Sequence, residues 1–198
     1  MPLGQLLFKA RSYTPIPFLI IILFFAAPTP FSLTLGYALM LLGEALRIWS
    51  VGYTGFTTRT RNVGAAQLVT SGPYAYTRNP IYLGNFILSL GVCTAFNALM
   101  PWTLLVFTAL FTFQYHFIIR LEEETLAGKF GEAYQAFLAG VPRFLPSLRR
   151  FAGASSHSFQ LAVGLRNEKN TFASILFIVL CSLAYFLFNN PLLSWIHS

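Results

Sequence analysis

The chain contains no aspartate at all, and its six acidic residues are all glutamates among 198 positions. Only 10% of the residues are charged, against about 25% for a soluble domain. A soluble fold of this length needs a charged shell that these residues cannot supply. The two cysteines and three histidines lie far apart, with no metal-ligand spacing, and the cysteines fall inside apolar runs, so neither a disulfide framework nor a zinc site is expected. No Gly-x-Gly occurs, which excludes a Rossmann cofactor fingerprint. Without aspartate a metal–phosphate site has little to draw on. No repeat and no low-complexity tract is visible.

What is present is apolar: 56% hydrophobic and 17% aromatic residues. Long runs without charge mark membrane spans, because a crossing helix takes about 20 apolar residues. The sequence predicts one all-α integral membrane domain over 1–198, with five spans at about 15–28, 31–51, 81–97, 101–119 and 171–189. The first is marginal in length, leaving a tilted or re-entrant segment open. Its "AAPTPFS" flank lacks a clear small-x-small cleavage site, so it reads as a span rather than a signal sequence. The net charge is +7, and all thirteen lysines and arginines fall on one side under this reading. That is the positive-inside pattern. It predicts a multi-pass protein of an inner or plasma membrane with a cytoplasmic N-terminus and the C-terminus outside. The basic excess reads as topology and contact with anionic headgroups, not nucleic-acid binding.

Three polar patches gather on the cytoplasmic side. "GEALR" places Glu44 and Arg47 at i and i+3 near the end of the second span. An ionisable residue inside a span costs about 2.5–3.5 kcal/mol on insertion scales, which mutual pairing reduces. "TSGPYAYTRNPIY" (70–82) holds a Gly-Pro turn, Tyr74, Tyr76 and Tyr82, and then Asn79-Pro80 as a helix start. Tyrosine faces suit a cation, and a helix N-terminus suits a carboxylate. "RLEEETLAGKFGEAYQAFLAGVPRFLP" reads as an amphipathic interfacial helix, with Leu126, Phe130 and Tyr134 on one face behind Glu122, Glu123 and Glu124. Together the patches form a site for a zwitterion with a positive centre, open to the cytoplasm beside lipid.

These motifs resemble those of the isoprenylcysteine carboxyl methyltransferase family. "LVTSGPYAYTRNPIYLGNF" is similar to that family's G-x-Y-x-x-x-R-[HN]-P-x-Y-x-G motif, the acidic run followed by F-G-x-x-Y and a V-P turn to its second, and "GEALR" to a G-E-x-x-R element, in the right order over about 40–146. The two core motifs are shared with phospholipid N-methyltransferases. The resemblance implies a cytoplasm-facing pocket for S-adenosylmethionine, held by Leu68, Val69, Tyr74, Asn79, Pro80, Ile81, Tyr82 and Glu122. It implies roles in activity for Arg47, Tyr82 and Glu122, and substrate contacts from Glu44, Arg47 and Arg120. Asn79 stands where the family usually has histidine, and Ile118 where the isoprenylcysteine enzymes carry an arginine that contacts substrate.

The expected function is transfer of a methyl group to a lipidic acceptor, led by an isoprenylcysteine-like carboxylate, which is ionised at pH 7 and needs only an arginine to aim it. A phosphatidylethanolamine-type amine is the alternative, followed by a small hydrophobic thiol; either must lose a proton, to Glu122 or Tyr82. A small membrane carrier or assembly factor is the non-enzymatic rival. A reductase using NADPH would call on Arg59 and Arg61. The partners expected are a lipid or prenylated substrate and the bilayer, with no metal.

Overall fold

A computed structural model describes residues 3–55 and 67–189. Arg59, Arg61 and the terminal Ser198 lie outside the described residues. The protein is all-helical among those residues: α1 (Leu3–Ala10), α2 (Pro15–Phe24), α3 (Pro30–Thr54), a 3-10 turn (Gly72–Ala75), α4 (Pro80–Phe96), α5 (Trp102–Gly140), α6 (Leu161–Asn167) and α7 (Lys169–Asn189).

Local chemistry sets most of these boundaries. Thr29 caps α3 through a capping box in which its side chain accepts from the Ser32 N–H and the Ser32 side chain accepts from the Thr29 N–H. Proline occupies an early helical position in α2, α3 and α4, where its missing N–H costs nothing. The expected break at 97–101 is present. Asn97 ends α4 in the left-handed conformation (φ 51°), and its side chain donates to the Ala27 carbonyl at 2.9 Å. Asn79 sits at the N-cap position of α4, but its side chain does not cap. It donates instead to the Arg143 carbonyl at 2.9 Å, trading a local bond for one to a distant segment.

Three helices are long and apolar enough to cross a membrane: α3, α5 and α7. The segment expected to span from 15 to 28 is shorter, because α2 ends at Phe24 after ten residues. Ten residues rise about 15 Å, half of a hydrocarbon core of about 30 Å. α2 follows α1 across a bend of 52°, so the two can form one broken span or a re-entrant segment. α4 has 17 residues and rises about 25 Å. α5 differs most from expectation. It continues helically through Arg120 and the three glutamates to Phe130, and the backbone then breaks at Gly131, where φ is +52° and ψ −128°, before a last helical stretch to Gly140. The stretch ahead of that break, 102–130, rises about 43 Å, longer than a hydrocarbon core of about 30 Å.

The core is an antiparallel pair, α3 against α4. Gly36 faces Ala95, Gly43 faces Leu88 and Arg47 faces Gly84, one number rising as the other falls. Glycines at 36 and 43 on α3 and at 84 and 91 on α4 let the backbones touch, which is how helices associate in lipid. After α5, residues 142–151 fold back along the tyrosine-rich loop. Arg78 N–H donates to the Pro142 carbonyl at 3.0 Å, Ser147 N–H to Tyr76 at 2.8 Å and Phe151 N–H to Ala75 at 3.0 Å. Thr77, fully buried, donates its hydroxyl to the Phe144 carbonyl at 3.0 Å.

Candidate functional site

A cavity of about 540 Å³ opens where α3 ends, α4 begins and the charged stretch of α5 lies. Its size is that of a small-molecule site. Because α3 and α4 are antiparallel, the end of one and the start of the other fall at the same level. The same geometry brings Arg47 and Tyr82 to the floor. The cavity is lined by Leu68, Val69 and Tyr74 from the loop, by Asn79, Pro80, Ile81 and Tyr82 from the start of α4, and by Arg47 and Glu122. These residues come from three separate stretches of chain.

Two proposed substrate residues stand elsewhere. Glu44 is buried behind the wall, its carboxylate 3.1 Å from Arg47 Nε. Arg120 is on the outer surface of α5, two thirds exposed, 3.1 Å from Glu124 one turn on, and does not line the cavity. Such exposed pairs contribute about 0.2–1 kcal/mol. Replacing Arg120 with alanine is therefore expected to shift the thermal midpoint by no more than a few degrees and to leave acceptor KM within twofold; a tenfold rise in KM would put Arg120 back at the substrate.

Tyr82 donates its hydroxyl to Glu122 Oε1 at 2.7 Å, across from α4 to α5. Glu122 lies beyond the apolar part of α5, yet it is enclosed. Burial raises its pKa, while the Tyr82 hydrogen bond and the charge of Arg11 lower it and Glu123 adds to the rise; burial wins. Burial likewise lifts the Tyr74 phenol well above its ordinary value, so it is neutral across the physiological range. Glu123 ties the outer rim together: it is 3.2 Å from Arg78 and 2.5 Å from Arg143. Arg143 comes from the returning segment 142–151, so this clasp joins the tyrosine loop, α5 and that segment.

The guanidinium of Arg47 is held on every nitrogen. Nε donates to Glu44, Nη1 to Asn85 and Nη2 to Glu168 at 2.5 Å, with Thr171 at 3.4 Å from the same nitrogen. Glu168 in turn accepts the Thr171 hydroxyl at 2.6 Å.

Several lining residues were not foreseen: Arg11, Asn85, Tyr115 and Glu168. Asn85 was visible as a polar residue in the "IYLGNF" run, where an amide is costly. Glu168 was a lone acid among basic residues ahead of the last span, readable only as a flank. Arg11 reads from sequence as positive-inside charge. Tyr115 comes close to Tyr82, with ring centroids 4.7 Å apart, and nothing in the spacing of the two residues announces that contact.

The cavity suits an amphoteric guest such as S-adenosylmethionine. Leu68, Val69 and Ile81 offer apolar surface, and the lining carries both carboxylates and arginines. Arg78 Nε is a buried donor with no acceptor among the described residues, as a carboxylate-bearing guest would require. No group of three or more histidines, cysteines or acids is placed to hold a metal ion among the described residues.

A family model described as phospholipid methyltransferase matches residues 31–133, just over half of the chain. The chain is 33% identical over 141 residues to the cobalt-zinc-cadmium resistance protein CzcN of Cupriavidus metallidurans, covering 70% of this chain and 60% of that protein. It is 29% identical over 136 residues to the nickel-cobalt-cadmium resistance protein NccN of Alcaligenes xylosoxydans xylosoxydans, covering 68% of this chain and 59% of that protein. The chain therefore spans about three fifths of the length of these relatives. No solved structure matches it.

Proposed function

The chain belongs to the phospholipid methyltransferase family, and from that premise we propose that it is a membrane methyltransferase that uses S-adenosylmethionine to methylate a lipid acceptor. The observation that carries this reading is the convergence of Leu68, Val69, Tyr74, Asn79 to Tyr82 and Glu122 on one cavity. When bound, the cofactor supplies a methyl group on a sulfonium. The residues named would hold it: the loop and Ile81 against its apolar parts, Tyr74 and Glu122 toward its positive centre, and Arg78 toward its carboxylate.

The acceptor most consistent with the geometry is an amine rather than the carboxylate that heads the sequence reading. An ammonium must shed a proton before its nitrogen can attack, and the Tyr82–Glu122 pair is a proton acceptor already in place. A carboxylate needs a guanidinium with free donors, whereas each nitrogen of Arg47 already has a protein partner. The motif resemblance to isoprenylcysteine enzymes keeps the carboxylate as the second reading. A link to cation tolerance, drawn from the names of the two relatives, would run through the leaflet: a fully methylated headgroup amine holds its charge permanently.

The cofactor reading is tested by binding of S-adenosylhomocysteine to the purified protein in detergent. Glu122→Gln is expected to weaken binding of S-adenosylmethionine, which carries the sulfonium charge that S-adenosylhomocysteine lacks, about 10–100-fold, the worth of a charge-assisted contact. Glu124→Gln, on the exposed surface, should change it less than twofold. Equal effects would reduce the acidic run to a general field. For topology we propose five crossings with the cavity toward the cytoplasm. A reporter at Ser198 should then report the outside, and one at the N-terminus the inside; an inside signal from both removes the bent α1–α2 pair as a crossing.

A further inference from the structure

Glu168 belongs to no motif, lies outside the region that matches the family, and is fully buried against Arg47. A buried carboxylate is costly unless its partners are well placed, and these are. It sits where α6 stops and α7 begins, one residue between two helices. The helix leading into the junction is fixed against α3 at two points. Gln160 N–H donates to the Gly52 carbonyl at 2.9 Å. Gly164 lies so close to Ile48 that a Cβ there would meet the Ile48 carbonyl at 2.7 Å. The Glu168 carboxylate is thus presented to Arg47 by a clamped backbone, and it also lines the cavity.

Resting on the amine reading above, we infer that Glu168 is a specificity-determining residue: it occupies the Nη2 edge of Arg47 and so denies that guanidinium to an acceptor carboxylate. An arginine grips a carboxylate with two parallel N–H donors, either from both Nη atoms or from Nε and one Nη. With Glu44 on Nε, Asn85 on Nη1, and Glu168 and Thr171 both on Nη2, neither edge keeps the two donors that a bidentate grip takes. Glu44 comes from the same helix as Arg47, one turn away, and Asn85 from the glycine-packed partner helix. Glu168, with Thr171 beside it, comes from the α6–α7 junction beyond the motif region, so its contact can differ between chains that share that region. Glu168 itself is fully buried, so it acts through Arg47: an approaching carboxylate finds no pair of free guanidinium donors, whereas an approaching amine needs none.

The test is equilibrium binding of radiolabelled dodecylamine and laurate to the full chain in zwitterionic nanodiscs, corrected with empty discs. S-adenosylhomocysteine binding is measured on the same samples. The wild type is expected to favour dodecylamine. Glu168→Ala, which opens Nη2, should move the affinity ratio at least tenfold toward laurate with S-adenosylhomocysteine affinity within twofold. Glu168→Gln, which leaves an oxygen acceptor on Nη2, should move it about threefold. Glu123→Gln removes the same charge from the same cavity but serves Arg78 and Arg143 rather than Arg47, and should move it less than Glu168→Gln does. Combining Glu168→Ala with Arg47→Gln should abolish the gain in laurate. An unchanged ratio in Glu168→Ala, a shift in Glu123→Gln as large as in Glu168→Ala, or a gain that survives loss of Arg47 would each overturn the inference. Should Glu168→Ala not fold, an unchanged ratio in Glu168→Gln overturns it alone. Failure of the wild type to bind S-adenosylhomocysteine would sink the methyltransferase reading and leave the amine-to-carboxylate ratio readable.

Discussion

At saturating cofactor, Glu122→Gln is expected to lower turnover of an amine lipid about 10²–10⁴-fold, the usual contribution of a placed general base. The amide keeps the size of the side chain and can still accept the Tyr82 hydroxyl, now at 2.7 Å from Oε1. What it loses is the ability to take a proton. Saturating cofactor separates this from any loss of binding. Burial raises the Glu122 pKa in the folded protein, and only the deprotonated form accepts. Activity should therefore fall as pH drops through a pKa above the ordinary carboxylate value of about 4.3. That acid limb should vanish from the residual rate of the glutamine variant. Tyr82→Phe should give a smaller loss, because it removes the relay and leaves the carboxylate. A glutamine variant with full turnover, or one that keeps the acid limb, would remove Glu122 from proton transfer.

The second large effect is structural. A side chain at Gly43 has nowhere to go: a Cβ there would lie 2.5 Å from Leu88 N and 2.7 Å from the Gly84 carbonyl. At Gly91 it would meet the Gly36 carbonyl at 2.6 Å and Met40 N at 2.7 Å. Those neighbours are largely backbone, which cannot swing aside as a rotamer can. Even alanine must push α3 and α4 apart, at the 1–3 kcal/mol (about) typical of overpacking, and leucine should exceed that range. We expect Gly43→Ala to lower the thermal midpoint in detergent measurably and Gly43→Leu to prevent a monodisperse folded species. The effect reaches the site as well. A Cβ on Gly84 would sit 2.7 Å from Arg47 Cγ, so Gly84→Ala should disturb Arg47 and lower turnover more than it lowers stability. A Gly43→Leu protein with an unaltered melting curve would refute the close-packed pair.

The sequence made the helices legible where composition and punctuation agree. The second, third and fifth expected spans lie within a few residues of α3, α4 and α7, because each is an apolar run bounded by proline, asparagine or charge. The motif loop was legible because its Gly-Pro and Asn-Pro steps fix the backbone locally. Two things were hidden for physical reasons. The charges at 120–124 look like the end of a helix, yet α5 continues through them because charged side chains are compatible with a helix once it leaves lipid. Glu168 was hidden because its importance lies in a contact 121 residues away in sequence. Local pattern carries no information about which distant side chain a buried acid will meet. Arg120 shows the reverse: proximity in sequence to Glu122 suggested a shared site, but two residues along a helix point about 200° apart, and Arg120 faces outward.

The walls of the cavity come from Phe8 near one end of the described chain to Glu168 near the other. During synthesis, the first helices can enter the bilayer as soon as each is made, since their backbone bonds are internal. The pocket cannot form on that schedule. Its tyrosine loop lacks its bonds to residues 142–151 until they emerge, and Arg47 lacks its Glu168 partner until the junction after α6 is made. A nascent chain stalled after α5 would thus carry its first helices and still lack one wall of the cavity, so the pocket is completed by the segment around Glu168 and not by the helices that enter the bilayer first.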